Sequence, residues 1–260
     1  MSSLNSGFFA RRALPWLVPA LVIVAWQLSV SHGAISSRVM PSPLAVLEVG
    51  WKMSVNGELF RHLGVSFQRA MLGLFIGGSI GFILALSNGL SRWSHLLFDS
   101  SVQMLRNVPN LALIPLVILW FGIDEKAKLF LISSSTLFPI YINTLHGIRS
   151  IDGRLLEMGR VYGLSRWGLF RHVLLPGALP SILVGLRYAL GLMWLTLIVA
   201  ETIAADNGIG YMVMDGRDFL RTDIVVLGIV LYALLGKTAD VFARTLERAL
   251  LRWNPAYRHV

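Results

Sequence analysis

No cysteine occurs among the 260 residues. That excludes disulfides, thiolate metal ligands and a cysteine nucleophile, and leaves the compartment open. Charge is scarce as well. Asp, Glu, Lys and Arg make up 14% of the chain, against about 25% in an ordinary soluble protein. So small a charged fraction cannot clothe a globular surface, and the lipid bilayer is the expected solvent. Nucleotide motifs are missing. Gly236-Lys237-Thr238 has the look of the end of a phosphate-binding loop, but the position that needs glycine five residues earlier is Leu231. Gly208-Ile209-Gly210 opens a dinucleotide fingerprint whose third glycine would fall on Val213. There is no H-E-x-x-H, and the six histidines are scattered without ligand spacing. No nucleophile–base pair can be argued. The chain is therefore read as non-catalytic, with no cofactor, no metal and no ATP site of its own.

What is present is apolar. Hydrophobic residues form 55% of the chain and the mean hydropathy is +0.66. Taken in order, residues 1–13 form a polar tail ending in Arg11 and Arg12, and Leu14–Val30 is a first span. Pro41-Ser42-Pro43 followed by LAVLEVGWKM reads as a turn and a short amphipathic helix on the outer surface. Ala70–Leu86 is a second span. Its Gly73, Gly77 and Gly81 form two overlapping G-x-x-x-G units that let another helix approach closely in lipid. Ser87-Asn88-Gly89 reads as a turn. In residues 96–121 the clean apolar part, Leu111–Phe121, is too short to cross alone, since about 20 residues are needed. Either the helix extends back through Val102 or it is broken at Asn107–Asn110. A break is tolerated where it lines a cavity. Leu129–Leu145, Leu179–Ala200 and Ile224 to about Phe242 complete six spans, with an acidic loop at 201–223. The expected division is a tail at 1–13, a transmembrane domain at 14–242 and a basic tail at 243–260.

Charge orients the spans. With the amino terminus inside, the cytoplasmic segments hold thirteen lysines and arginines against four acids, and the outer segments seven against nine. That is the positive-inside pattern, and it accounts for the net charge of +9 without any nucleic acid. It also places residues 146–176 in the cytoplasm. Within them Ile151, Leu155, Met158 and Tyr162 form one apolar helical stripe, with Arg154, Glu157 and Arg160 beside it. Gly163 breaks the pattern, and Ser165 is placed to cap a second short helix running to Pro176. A connecting loop has no need of two helices.

Glu157-Met158-Gly159, three residues, Gly163, nine residues and Val173-Leu174-Leu175-Pro176 resemble the cytoplasmic loop of ABC importer permeases, E-A-A-x3-G-x9-I-x-L-P. Met158, Gly159 and Val173 depart mildly from it. The segments MLRNVPNLALIPLVILWFGID, FPIYINTLHGIRSID, LPSILVGLRYALGLMWLTLIVAETI and LRWNPAY look like the nitrate/sulfonate/taurine branch of that family, most of all its aliphatic sulfonate permeases. The resemblance implies an all-α, type I (MetI-like) bundle in the bacterial inner membrane, with both termini cytoplasmic. It implies a permease homodimer served by two ABC ATPase subunits and by a periplasmic or lipid-anchored binding protein, importing small organic anions. It further implies that Arg154, Leu155, Glu157, Met158, Gly159, Arg160, Tyr162, Gly163, Leu164, Leu175 and Pro176 couple the chain to its ATPase.

Three residues are candidates for the substrate pathway. Arg106 and Asn107 stand at the break, as a gate or as a cytoplasmic rim. Arg187 lies about 12 Å into the fifth span, where ionisable groups are functional candidates. It either steers an anion or pairs with Asp240 at similar depth. A nitrate or taurine permease is the nearest alternative. A carrier or channel without an ATPase is a further one, though it would have no use for residues 146–176.

Overall fold

The computed structural model describes residues 4–254, and side chains from Leu14 onward apart from Pro15, Trp16 and Ala204. The outermost parts of both tails, 1–3 and 255–260, lie outside the described residues, as do the side chains of Arg11 and Arg12. All regular structure among the described residues is helical.

Helix α1 (Leu4–Ser31) is followed by α2 (Pro43–Val55) and α3 (Glu58–Leu90). The hydroxyl of Ser42 caps α2 by accepting from the Ala45 N–H, and Pro43 starts it. The predicted turn at Ser87-Asn88-Gly89 is instead helix. Asn88 is buried, and its amide donates to the Tyr141 hydroxyl at 2.8 Å. Tertiary contacts thus carry α3 past a sequence with poor helix propensity.

The chain then breaks, as one of the two readings had it. Helices α4 (Arg92–Arg106) and α5 (Ile114–Phe121) meet at 86°. A 3₁₀ turn at Asn110–Leu113 joins them. The Asn110 side chain ties the break to α6: its amide donates to the Leu131 carbonyl, and the Ser134 hydroxyl donates to its oxygen. Asp99 belongs to the packing of α4, since the Tyr141 hydroxyl donates to it at 2.7 Å.

Helix α6 (Glu125–Arg149) lies between α3 and α9 (Leu175–Ala204). A Cβ on Gly73 would run into Ile132, on Gly77 into the Ser133 carbonyl, and on Gly81 into the Leu137 carbonyl. The glycine ladder is therefore the seam along which α3 and α6 touch. Gly147 and Gly185 do the same between α6 and α9, where an added Cβ would stand 2.9 Å from the Ala178 and Pro139 carbonyls respectively.

Between α6 and α9 come α7 (Gly153–Val161), the single turn α8 (Arg166–Leu169) and a π-helical turn (Phe170–Leu174). The second short helix expected to end at Pro176 does not end there. It runs through the π turn into α9, with Pro176 in the first turn, where its missing N–H costs nothing. The expected loop at 201–223 contains a further helix, α10 (Ile209–Asp218), and α11 (Thr222–Leu250) continues eight residues past the expected end of the last span. Gly210, set against Ile198 and Glu201, and Gly228, set against Val213, let α10 lie flat on α9 and α11.

Helix α3, the continuous stretch Arg166–Ile203 and α11 are long and apolar enough to cross a membrane, and the bent α4–α5 pair makes a fourth. The described apolar part of α1, Leu17–Ser31, is shorter. Helix α6 falls below the standard because Lys128, Ser135, Thr136 and Thr144 are on it. All four are buried; Lys128 bonds to Glu125, and Ser135 and Thr136 donate to the Ile132 carbonyl, while the Thr144 hydroxyl is enclosed without a hydrogen-bond partner among the described residues. In chain order α1, α3, α4–α5, α6, α9 and α11 occupy the places of the six expected spans. The largest core cluster joins α2, α9, α10 and α11 through Val49, Met193, Leu197, Met212 and Leu227.

Candidate functional site

The segment 151–176 is built from its own sequence. The Asp152 carboxylate caps α7 by accepting from the Arg154 N–H at 2.9 Å. The helix closes on Gly163, whose φ of +76° belongs to the left-handed region. The Gly163 N–H donates to the Arg160 carbonyl, and the Leu164 N–H reaches back to Gly159 at 3.0 Å, a Schellman closure. The Ser165 hydroxyl then caps α8 at the Gly168 N–H.

Two of the candidate coupling residues point inward. Gly159 is buried, and a Cβ there would meet Leu169 at 2.6 Å and Leu164 at 3.3 Å. Gly159 thus lets α7 settle on α8, and Leu164, half-buried, is a strut inside the segment. Leu175 and Pro176 are partly buried in the first turn of α9. The others face out. Leu155 is 47% exposed, Met158 52% and Tyr162 80%, and Arg154, Glu157 and Arg160 are exposed beside them. Val161 and Trp167, absent from the expected set, are also exposed apolar side chains of this segment. Exposed apolar area rimmed by charge occurs at protein contacts, at membrane surfaces and in ligand grooves.

The break between α4 and α5 opens a cavity of about 1150 Å³, walled mainly by apolar side chains of α3, α5, α6 and α9. Arg106 and Asn107 both line it. Arg187 does not. Its guanidinium donates to Asp240 of α11 at 2.8 and 3.0 Å, and Arg244 holds the other oxygen of the same carboxylate at 3.0 Å. The geometry is that of the interhelical pair, apart from the cavity.

A profile described as "binding-protein-dependent transport system inner membrane component" matches residues 77–252. The chain belongs to this family. It is 63% identical to an Escherichia coli K12 protein named for aliphatic sulfonates transport, the permease protein SsuC, over 95% of this chain and 94% of that one. Against the E. coli taurine transport permease protein TauC it is 35% identical, over 90% and 87%. A solved bacterial alginate ABC transporter in complex with an alginate-bound periplasmic protein aligns with a TM-score of 0.63 at 18% identity, covering 93% of this chain and 96% of that one. That likeness is one of fold. The expected fold class is therefore the observed one, and the chain is a non-catalytic membrane subunit of an importer.

The permease holds one constellation that sequence reading missed. Glu201, 1% exposed, ends α9 inside a ring of donors. Ser66 donates at 2.8 Å, the Arg69 guanidinium at 2.8 Å, the Gly210 N–H at 2.9 Å and the Tyr232 hydroxyl at 3.2 Å. Arg69 also forks onto Glu125 and reaches the Asn207 carbonyl at 2.6 Å. Lys128 closes on Glu125 at 2.8 Å, and the Gly208 N–H donates to His62 at 3.1 Å. Five helices, α3, α6, α9, α10 and α11, are pinned at one point. The signal was the Glu201 carboxylate at the end of an apolar run with an unassigned Arg69 at the start of another.

Proposed function

We propose that this permease imports aliphatic sulfonates, drawing on ATP hydrolysed by a partner subunit. The observation that carries the substrate is the 63% identity with a chain named for aliphatic sulfonates, sustained over nearly the full length of both, against 35% for one named for taurine. On this reading a permease homodimer receives a sulfonate from an external binding protein and passes it inward. The two ATPase subunits grip the exposed face of α7. Charge balance supports a cytoplasmic position for both termini and α7.

The physics of the grip follows from the exposed groups. Leu155, Met158 and Tyr162 supply apolar area, and methionine adapts to an irregular groove. Arg154, Glu157 and Arg160 set orientation at the rim. Because Gly159 seats α7 on α8, and α8 is continuous with α9, movement of the ATPase would reach the span as a rigid push.

The test is uptake. Cells lacking their own sulfonate permease are given this chain with its ATPase and binding protein, and butanesulfonate as sole sulfur source. Growth and labelled uptake are expected with butanesulfonate. Faster uptake of taurine or nitrate would overturn the substrate assignment.

A further inference from the structure

Two cations in the cavity stand without a carboxylate. Arg69, Lys128, Arg187 and Arg244 are each held by an acid. Arg106 and Lys126 both line the cavity, and among the described residues neither makes an ion pair. They come from different elements. Lys126 sits in the first turn of α6. Arg106 ends α4 beside the break that Asn110 ties to Ser134, about 12 Å further along α6. The wall is mainly apolar, with Ile80 of α3 and Leu192 and Leu195 of α9 lining the space together with the hydroxyls of Ser133, Ser134, Ser135 and Thr196.

We propose that this cavity is a transit site for amphiphilic organic anions. An alkanesulfonate carries a permanent charge on one end and a hydrocarbon chain on the other. Lys126 and Arg106 are successive holds for the head, and Ile80, Leu192 and Leu195 receive the chain. A passage for nitrate or sulfate would need polar walls along its length to replace lost water. This wall offers mainly apolar side chains instead, against which burial of a hydrocarbon chain is favourable. Two separated cations without acids bind a passing anion in steps, and neither holds it tightly enough to stop release. The inference rests on the proposed sulfonate import and adds to it where selection by chain length arises.

The experiment uses the assembled importer in lipid vesicles, with both butanesulfonate uptake and binding-protein-stimulated ATP hydrolysis measured. Arg106→Gln and Lys126→Gln are each expected to lower uptake about tenfold, the loss of one charge-assisted hydrogen bond, with stimulated hydrolysis retained. Arg106→Lys is expected to restore most of it. Leu195→Asn is expected to slow pentanesulfonate several-fold more than methanesulfonate. Uptake unchanged in both glutamine variants, or an equal loss for both chain lengths, overturns the proposal while leaving sulfonate import intact. Failure of the unaltered importer to take up sulfonates would strike the substrate reading itself. A separate arm exploits the cysteine-free chain. Leu195→Cys should react with 2-sulfonatoethyl methanethiosulfonate, and butanesulfonate should protect it during turnover. An unreactive Leu195→Cys would mean that lipid or the second permease copy fills the cavity, which contradicts the proposal.

Discussion

Removing the Glu201 side chain should be among the most damaging single changes to this fold. Its carboxylate accepts from Ser66, Arg69, Gly210 and Tyr232 and is 1% exposed. Glu201→Ala strands the hydroxyls of Ser66 and Tyr232 and the Gly210 N–H. Arg69 keeps Glu125 and Asn207, so the cation is weakened rather than orphaned. Breaking a buried ion pair on one side costs about 3–5 kcal/mol. The surviving Arg69 contacts place the expected loss at the lower end, about 3 kcal/mol. Glu201→Gln keeps the shape and one acceptor oxygen, and should cost about 1–2 kcal/mol. The assay is reversible unfolding of the purified permease in mixed micelles by increasing denaturant detergent, read by tryptophan fluorescence. Because the network pins α10 to α3 and α9, protease cutting near Asp206 should rise in the alanine variant well before global unfolding. A loss below 1 kcal/mol for Glu201→Ala, or equal losses for alanine and glutamine, would refute the idea that the carboxylate organises this end of the bundle.

Other expectations follow from the same geometry. Gly77→Ala drives a methyl into the Ser133 carbonyl and should lower stability by about 2–3 kcal/mol, whereas Gly191→Ala, with open space around it, should gain a few tenths to 1 kcal/mol in the same unfolding assay. Gly163→Ala forces a Cβ into the left-handed region at an expected cost of about 1 kcal/mol; ATPase coupling should fall more than stability, and unchanged coupling would argue against a fixed α7. Arg187→Ala should impair folding yield, and Arg187→Ala with Asp240→Ala should recover it, since the pair is interhelical; lost uptake in a stable double variant would return Arg187 to the pathway.

How much was legible in the sequence depended on range. The glycine ladder at Gly73, Gly77 and Gly81 was readable because its spacing is itself the contact pattern, and the break at Asn107–Asn110 because two prolines and a short apolar run leave few options. Gly163 and Ser165 marked their helix ends by local chemistry alone. Three things were hidden. Ser87-Asn88-Gly89 has turn chemistry, yet Asn88 bonds to Tyr141, which is 53 residues away. The helix in 209–218 exists because Gly210 and Gly228 fit facing surfaces, and nothing nearby in sequence reports that. Glu201 looked like an acid at a loop's start because its partners lie on three other elements. Within 151–176, the spacing told which residues belong together but not that Gly159 and Leu164 turn inward.

Retention of the ATPase by α7 tests the central claim most directly. Met158 is 52% exposed and contributes nothing to the core, so Met158→Asp should leave the permease stable in detergent. Co-purification with the ATPase subunit, followed by hydrolysis stimulated by sulfonate-loaded binding protein, is the measurement. The unaltered permease should carry the ATPase through purification, and Met158→Asp should lose both it and the stimulated hydrolysis. A Met158→Asp permease that keeps its ATPase and hydrolyses ATP at the unaltered rate would contradict a coupling role for this face.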